Sequence, residues 1–141
     1  MSDKAKLIEG LNEDLASELG AVILYLYQTS VALGFNGEEL RELLRDEVTE
    51  ELGHATFLAD KIVALGGDPT TRPKEYKTPK DIKGMLEFDL KLEREAVEAY
   101  KKRAQQADEY GDLGLKVKIE ELISDETDHV EKIERILRGW K

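Results

Sequence analysis

The chain has 141 residues, with 21 Lys plus Arg against 31 Asp plus Glu, a formal charge of −10 and 40% hydrophobic residues. That is one domain, long and apolar enough to bury a core, and neither a disordered segment nor a pair of domains. It has no cysteine, which excludes disulfides, thiolate zinc sites, iron–sulfur clusters and a cysteine nucleophile, so any metal must be held by oxygen and imidazole. The acidic balance turns the surface away from nucleic acid and anionic membrane and toward cations.

Leu7, Leu11, Leu15, Leu19, Val22, Leu26 and Thr29 lie three or four residues apart. They predict a helix over about 4–33, capped by Asp3 and stopped by Gly34. After a break at Gly34-Phe35-Asn36-Gly37, the stripe Leu40, Leu44, Val48, Leu52, Ala55, Leu58, Ile62 and Leu65 predicts a second helix that ends at Gly66-Gly67. From Gly66 to Lys80 the composition turns to Gly, Pro, Thr and Lys, which reads as an ordered crossover. Pro79 suits the first position of a third helix running to about residue 108, with Ile82, Leu86, Leu90, Val97 and Tyr100 inward. A fourth helix follows from about Asp112 to Arg138, and no strand pattern is present. Two tight connections and one long crossover make an all-α antiparallel four-helix bundle. The most apolar stretch, Leu19 to Tyr27, is far short of the roughly 20 residues that span a bilayer, and the N-terminus lacks a secretory apolar core, so the expected location is the cytoplasm.

Glu-x-x-His occurs twice, as Glu51 to His54 and Glu126 to His129, and these are the only two histidines. Residues three apart on a helix share a face, so each Glu and His can chelate one ion. Glu18 interrupts the apolar stripe of the first helix between Leu15 and Leu19, and Glu93 lies likewise between Leu90 and Val97 on the third. Glu18 and Glu51 are 33 residues apart, as are Glu93 and Glu126, and Tyr25 and Tyr100 each follow their helix's Glu by seven. The pattern predicts a pseudo-twofold site. Four buried carboxylates repel one another in a dry core, but two divalent cations balance them. Carboxylates with one imidazole per ion suit iron or manganese better than zinc or calcium. The competing reading, surface carboxylates and two core histidines, requires the spacing to arise by accident twice. Tyr25 and Tyr100 are placed either for packing or for chemistry. Glu50 and Asp125 are placed either to orient an imidazole across the bundle or to stay solvated, and Asp46, Glu47 and Glu50 form a candidate surface relay for cations.

In these residues the chain resembles the ferritin-like superfamily, most closely a bacterioferritin, over about residues 4–138. The resemblance implies two irons per subunit, with manganese as the alternative metal. Glu51 and Glu126 would bridge them, Glu18 and His54 would complete one ion, and Glu93 and His129 the other. Tyr25 matches a tyrosine near the family's di-iron centre and would supply an electron during oxygen reduction. Leu52 stands where bacterioferritins carry a haem-binding methionine, so no haem is expected. The sequence ends at Lys141, 12 residues beyond His129, without the family's short fifth helix, which leaves the usual fourfold channel and 24-subunit cage outside the expectation. Rubrerythrins typically add a glutamate where this chain has Ala96. The implied function is a non-haem di-iron ferroxidase that oxidises Fe(II) with O2 or H2O2, in iron storage or detoxification. The alternative is a di-iron redox enzyme such as a rubrerythrin-like peroxidase or a small oxygenase. Ferritin-like subunits generally pair along their first two helices, so a homodimer or larger homo-oligomer is expected.

Overall fold

Helix α1 (Asp3–Val31) begins where the Ser2 hydroxyl accepts the Ala5 amide, so Ser2 and not Asp3 is the cap. Gly34, at φ 81°, makes the turn into α2 (Gly34–Ala64). The break therefore falls at Ala32-Leu33, earlier than the sequence suggests, because this glycine supplies a left-handed turn that leads directly into helix. Pro79 lies ahead of α3 (Ile82–Tyr110): Asp81 caps that helix through its carboxylate, which accepts the Gly84 amide at 2.9 Å. Gly111, at φ 91°, closes α3, and Asp112 caps α4 (Leu113–Arg138). The computed structural model describes residues Met1–Lys141, and these four helices are its only regular elements.

The helices pair as two hairpins, α1 along α2 and α3 along α4, with α1 also packed along α3. The crossover between α2 and α3 is tied to α1. The Lys74 amide donates to Ala16 O at 2.9 Å, the Thr70 amide to Asn12 Oδ1 at 2.8 Å, and Asn12 Nδ2 to Asp68 O at 3.1 Å. Gly20 makes this approach possible, since a Cβ there would stand 2.3 Å from Lys74 O.

Buried positions follow alternating steps of three and four residues, as on α4 at Leu115, Ile119, Leu122, Glu126, His129 and Ile133. On α1 the same rhythm buries Leu7, Leu11, Asp14, Glu18, Tyr25 and Gln28. It leaves Leu26, expected inward, 58% exposed. On α2 it buries Glu47 and Glu51, and Leu52 turns outward. The apolar core is thereby split into two clusters. One contains Leu7, Leu58 and Ile119, the other Leu44, Leu86 and Ile133, and a polar layer lies between them.

Beside the first cluster Arg103 pairs with Asp14, its Nε and Nη2 donating to the carboxylate at 2.8 and 3.1 Å. Gly10 leaves room for the guanidinium: a Cβ there would sit 1.7 Å from Arg103 Nη1. Gly10→Ala is therefore expected to displace this buried pair and destabilise the fold by roughly 1–3 kcal/mol, measured as a lower midpoint in urea unfolding.

Candidate metal centre

Each helix lends its inward turn to the polar layer. Glu18 comes from α1, Glu51 and His54 from α2, Glu93 from α3, and Glu126 and His129 from α4, and none is more than 5% exposed. They form two overlapping donor groups, Glu18–Glu51–His54–Glu126 and Glu51–Glu93–Glu126–His129. His54 Nδ1 lies 3.0 Å from Glu126 Oε1, 3.5 Å from Glu51 Oε2 and 3.9 Å from Glu18 Oε2. His129 Nδ1 lies 3.3 Å from Glu51 Oε1, 3.4 Å from Glu93 Oε2 and 3.7 Å from Glu126 Oε2. Glu51 and Glu126 thus turn one oxygen to each histidine, while Glu18 and Glu93 each serve one side.

Outer partners fix the imidazoles. His54 Nε2 meets Asp125 Oδ2 at 3.0 Å and His129 Nε2 meets Glu50 Oε2 at 2.7 Å. With the Nε2 proton donated outward, each ring presents Nδ1 to the centre. Each carboxylate reaches the histidine of the opposite hairpin while its own side chain stays part-exposed, 41% for Asp125 and 37% for Glu50. The terminal carboxylates are held by the two tyrosines: Tyr25 donates to Glu93 Oε1 and Tyr100 to Glu18 Oε1. Burial, and then the charges of Glu93 and Glu18 respectively, raise both phenols well above their ordinary value, so both keep the proton they donate.

The donor atoms fit a pair of cations. Glu18 Oε2, Glu51 Oε1, Glu126 Oε1 and His54 Nδ1 are buried without a hydrogen-bond partner, an arrangement that buried polar groups rarely sustain without a ligand. Burial, followed by the neighbouring Glu51, raises Glu18 well above the usual carboxylate range. Burial and then the Glu93 contact push Glu126 up to about 7. Burial opposes the imidazolium of His54, but its contacts with Glu126, Glu18 and Glu51 outweigh that and raise its pKa. The same opposition holds at His129, where Glu126, Glu51 and Glu93 prevail. The metal-free centre therefore stores protons, which cations of the right charge would replace.

Five further polar residues are buried beside the centre: Asp14, Gln28, Glu47, Asp89 and Arg103. Glu47, expected from the sequence in a surface relay with Asp46 and Glu50, is 3% exposed, because it lies one turn before Glu51 on the same face. That relay does not exist as a surface feature. Asp89 accepts from Gln28 Nε2 at 2.9 Å, and Asp14 is held by Arg103. Their signal was available in the spacing, since Asp14 and Asp89 each precede a centre glutamate by four residues.

A cavity of about 170 Å3 reaches the carboxylates between α1, α3 and the crossover, walled by Ser17, Ala21, Tyr76, Ala96 and Ala99. No helix is long and apolar enough to cross a membrane.

The family model of the ferritin-like domain matches residues 8–141. The chain belongs to the ferritin-like family. It is 33% identical to the bacterioferritin of Brucella melitensis over 95% of this chain and 84% of that protein. Among solved structures, a ferritin-like, diiron-carboxylate protein of Bacillus anthracis superposes with a TM-score of 0.94 at 43% identity, covering 97% of this chain and 99% of that one. The bacterioferritin of Desulfovibrio desulfuricans, whose diiron site was seen in different catalytic states, superposes with a TM-score of 0.89 at 31% identity, over 96% and 80% of the two chains. Membership in the ferritin-like family agrees with the four-helix architecture and with the carboxylate and histidine groups gathered at its centre.

Proposed function

We propose that this ferritin-like protein is a non-haem ferroxidase, binding two ferrous ions as substrate and oxidising them with O2 or H2O2. The observation that carries the reading is the division of Glu51 and Glu126 between the two histidines, one oxygen to each side. Two ferrous ions held next to each other supply the two electrons that reduce O2 to H2O2, with two protons consumed. The protein positions the ions and balances their charge. Glu18 and Glu93 complete the two sides, Tyr100 and Tyr25 orient those carboxylates, and Glu50 and Asp125 keep both imidazoles turned inward. Manganese would suit the same donors.

The small cavity favours ferroxidase over an oxygenase acting on an organic substrate. Pockets for such substrates run to roughly 300–1,000 Å3, whereas about 170 Å3 admits an ion, O2 or H2O2. A homodimer through the outer faces of α1 and α2 belongs to the same reading, because Ile23, Leu26 and Leu52 stand 54%, 58% and 52% exposed there.

Adding oxygen to anaerobically loaded protein is expected to oxidise about two irons per O2 consumed, and to do so again with each further iron addition. A single slow oxidation without renewed turnover would favour the peroxidase reading instead. Tyr25→Phe is expected to retain iron and slow its oxidation by about tenfold or more in stopped-flow absorbance. An unchanged rate would reduce Tyr25 to a packing residue.

A further inference from the structure

The two hairpins are related by a shift of 75 residues, which carries Glu18 to Glu93, Tyr25 to Tyr100, Glu51 to Glu126 and His54 to His129. The same shift carries Asp14 to Asp89 and Gln28 to Arg103, so the two buried pairs flanking the centre, Asp14–Arg103 and Asp89–Gln28, are equivalents. They are not equally balanced. Asp14 faces a guanidinium, and Leu58 and Leu122 are buried apolar residues of the same core cluster on α2 and α4. Asp89 faces a neutral amide, and Met85 replaces the Gly10 that makes room for the guanidinium on the other side. Where the first flank has Leu122, the second has Glu47.

The second flank therefore holds two carboxylates and, in place of Arg103, only the neutral Gln28. Gln28, Glu47 and Asp89 are at most 3% exposed, and four of their oxygens lack any hydrogen-bond partner: Glu47 Oε1 and Oε2, Asp89 Oδ2 and Gln28 Oε1. The Gln28 amide hydrogens go to Asp89 and Thr78, at 2.9 and 2.8 Å, leaving its oxygen free. The three residues occupy one layer. Gln28 stands one turn beyond Tyr25, Asp89 one turn before Glu93, and Glu47 one turn before Glu51, and the Tyr25–Glu93 and Gln28–Asp89 bonds set the register. Carboxylates at this depth are strongly opposed by desolvation, and the imidazole of His129, which acts on Glu47, belongs to the neighbouring centre, so the layer favours a positive charge of its own.

We propose that Glu47, Asp89 and the Gln28 carbonyl oxygen form a third cation site beside the Glu93–His129 half of the centre. Its donors are all oxygen, without imidazole, which selects a hard divalent ion of the Mg2+ or Mn2+ type. The opposite flank, with Arg103 and Leu122, has no such site, so the two halves of an otherwise twofold centre become unequal.

The site rests on the preceding reading only for the count of neighbouring ions, and the test separates the two. Mn2+ is titrated into the metal-free full-length chain, and free Mn2+ is followed by electron paramagnetic resonance. Three ions per chain are expected for the unmodified protein and two for Glu47→Gln, for Asp89→Asn and for Glu47→Leu, which restores the residue type of the other flank. Excess Mg2+ is expected to displace one ion of the three. Glu51→Ala is expected to lose the pair and keep one Mn2+, a result that would uphold the third site even if the pair did no ferroxidase chemistry. Two ions in the unmodified protein and in all three flank variants would overturn the third site alone, as would three ions retained in Glu47→Gln. No bound Mn2+ in any form would overturn both readings.

Discussion

Glu51→Ala and Glu126→Ala are each expected to lose both ions of the central pair, whereas Glu18→Ala and Glu93→Ala lose one. The oxygens of Glu51 and Glu126 are divided between His54 Nδ1 and His129 Nδ1, at 3.0–3.7 Å, so removing either carboxylate strips a ligand from both sides. Glu18 reaches only His54, and Glu93 only His129. Replacing even the outer partner of a metal ligand costs about 10–100-fold in affinity, and loss of a shared inner carboxylate is expected to exceed that for both ions. The visible absorption of Co2+ bound through imidazole reads the outcome directly. Both bands should vanish in Glu51→Ala and half the intensity should remain in Glu18→Ala, with helix content unchanged by circular dichroism. Half the intensity surviving in Glu51→Ala would show that it does not bridge.

Metal-free protein is expected to lose thermal stability as the pH rises, and metal is expected to reverse the trend. Burial, joined by the Glu93 contact, holds Glu126 up at about 7; burial likewise holds Glu47 and Asp89 at about 8 and Asp14 at about 6. An acid whose folded pKa exceeds its unfolded value binds more protons when folded, so between the two values each rise in pH favours unfolding. The histidines act in the same direction. Their raised pKa values confer stability that is full below the unfolded value and is lost as the pH climbs toward the folded one. The steepest change should therefore fall between about pH 5 and 8, with a decrease in Tm on the order of 10 °C, since a few kcal/mol moves a domain of this size by roughly that much. Cations replace the stored protons, so metal binding tightens as the pH rises and the loaded protein should show a flat or rising Tm across the same range. Differential scanning calorimetry of both forms provides the comparison. A metal-free Tm that rises from pH 5 to 8 would contradict the buried charge arrangement.

The family, the helical class and all six central residues were legible in the linear sequence. Glu-x-x-His on a helix fixes two side chains on one face whatever surrounds them, and its recurrence with the same distance to an upstream Glu specifies two equivalent halves. Long apolar periodicity with glycine-bearing breaks likewise determined four helices and a crossover, because these features act within a few residues of chain. What only the tertiary structure decided was which polar residues accompany the ligands into the core. A reading that follows apolar residues in steps of four drifts around the helix, and so it carried the stripe to Leu26 and Leu52, which are exposed. The packed face advances by alternating threes and fours, and it encloses Asp14, Gln28, Glu47, Asp89 and Arg103 instead. Their burial depends on partners from other helices, on the room that Gly10 leaves and Met85 fills, and on the centre they surround. Polarity alone marks such residues as surface, and only the neighbours brought in by packing reverse that assignment.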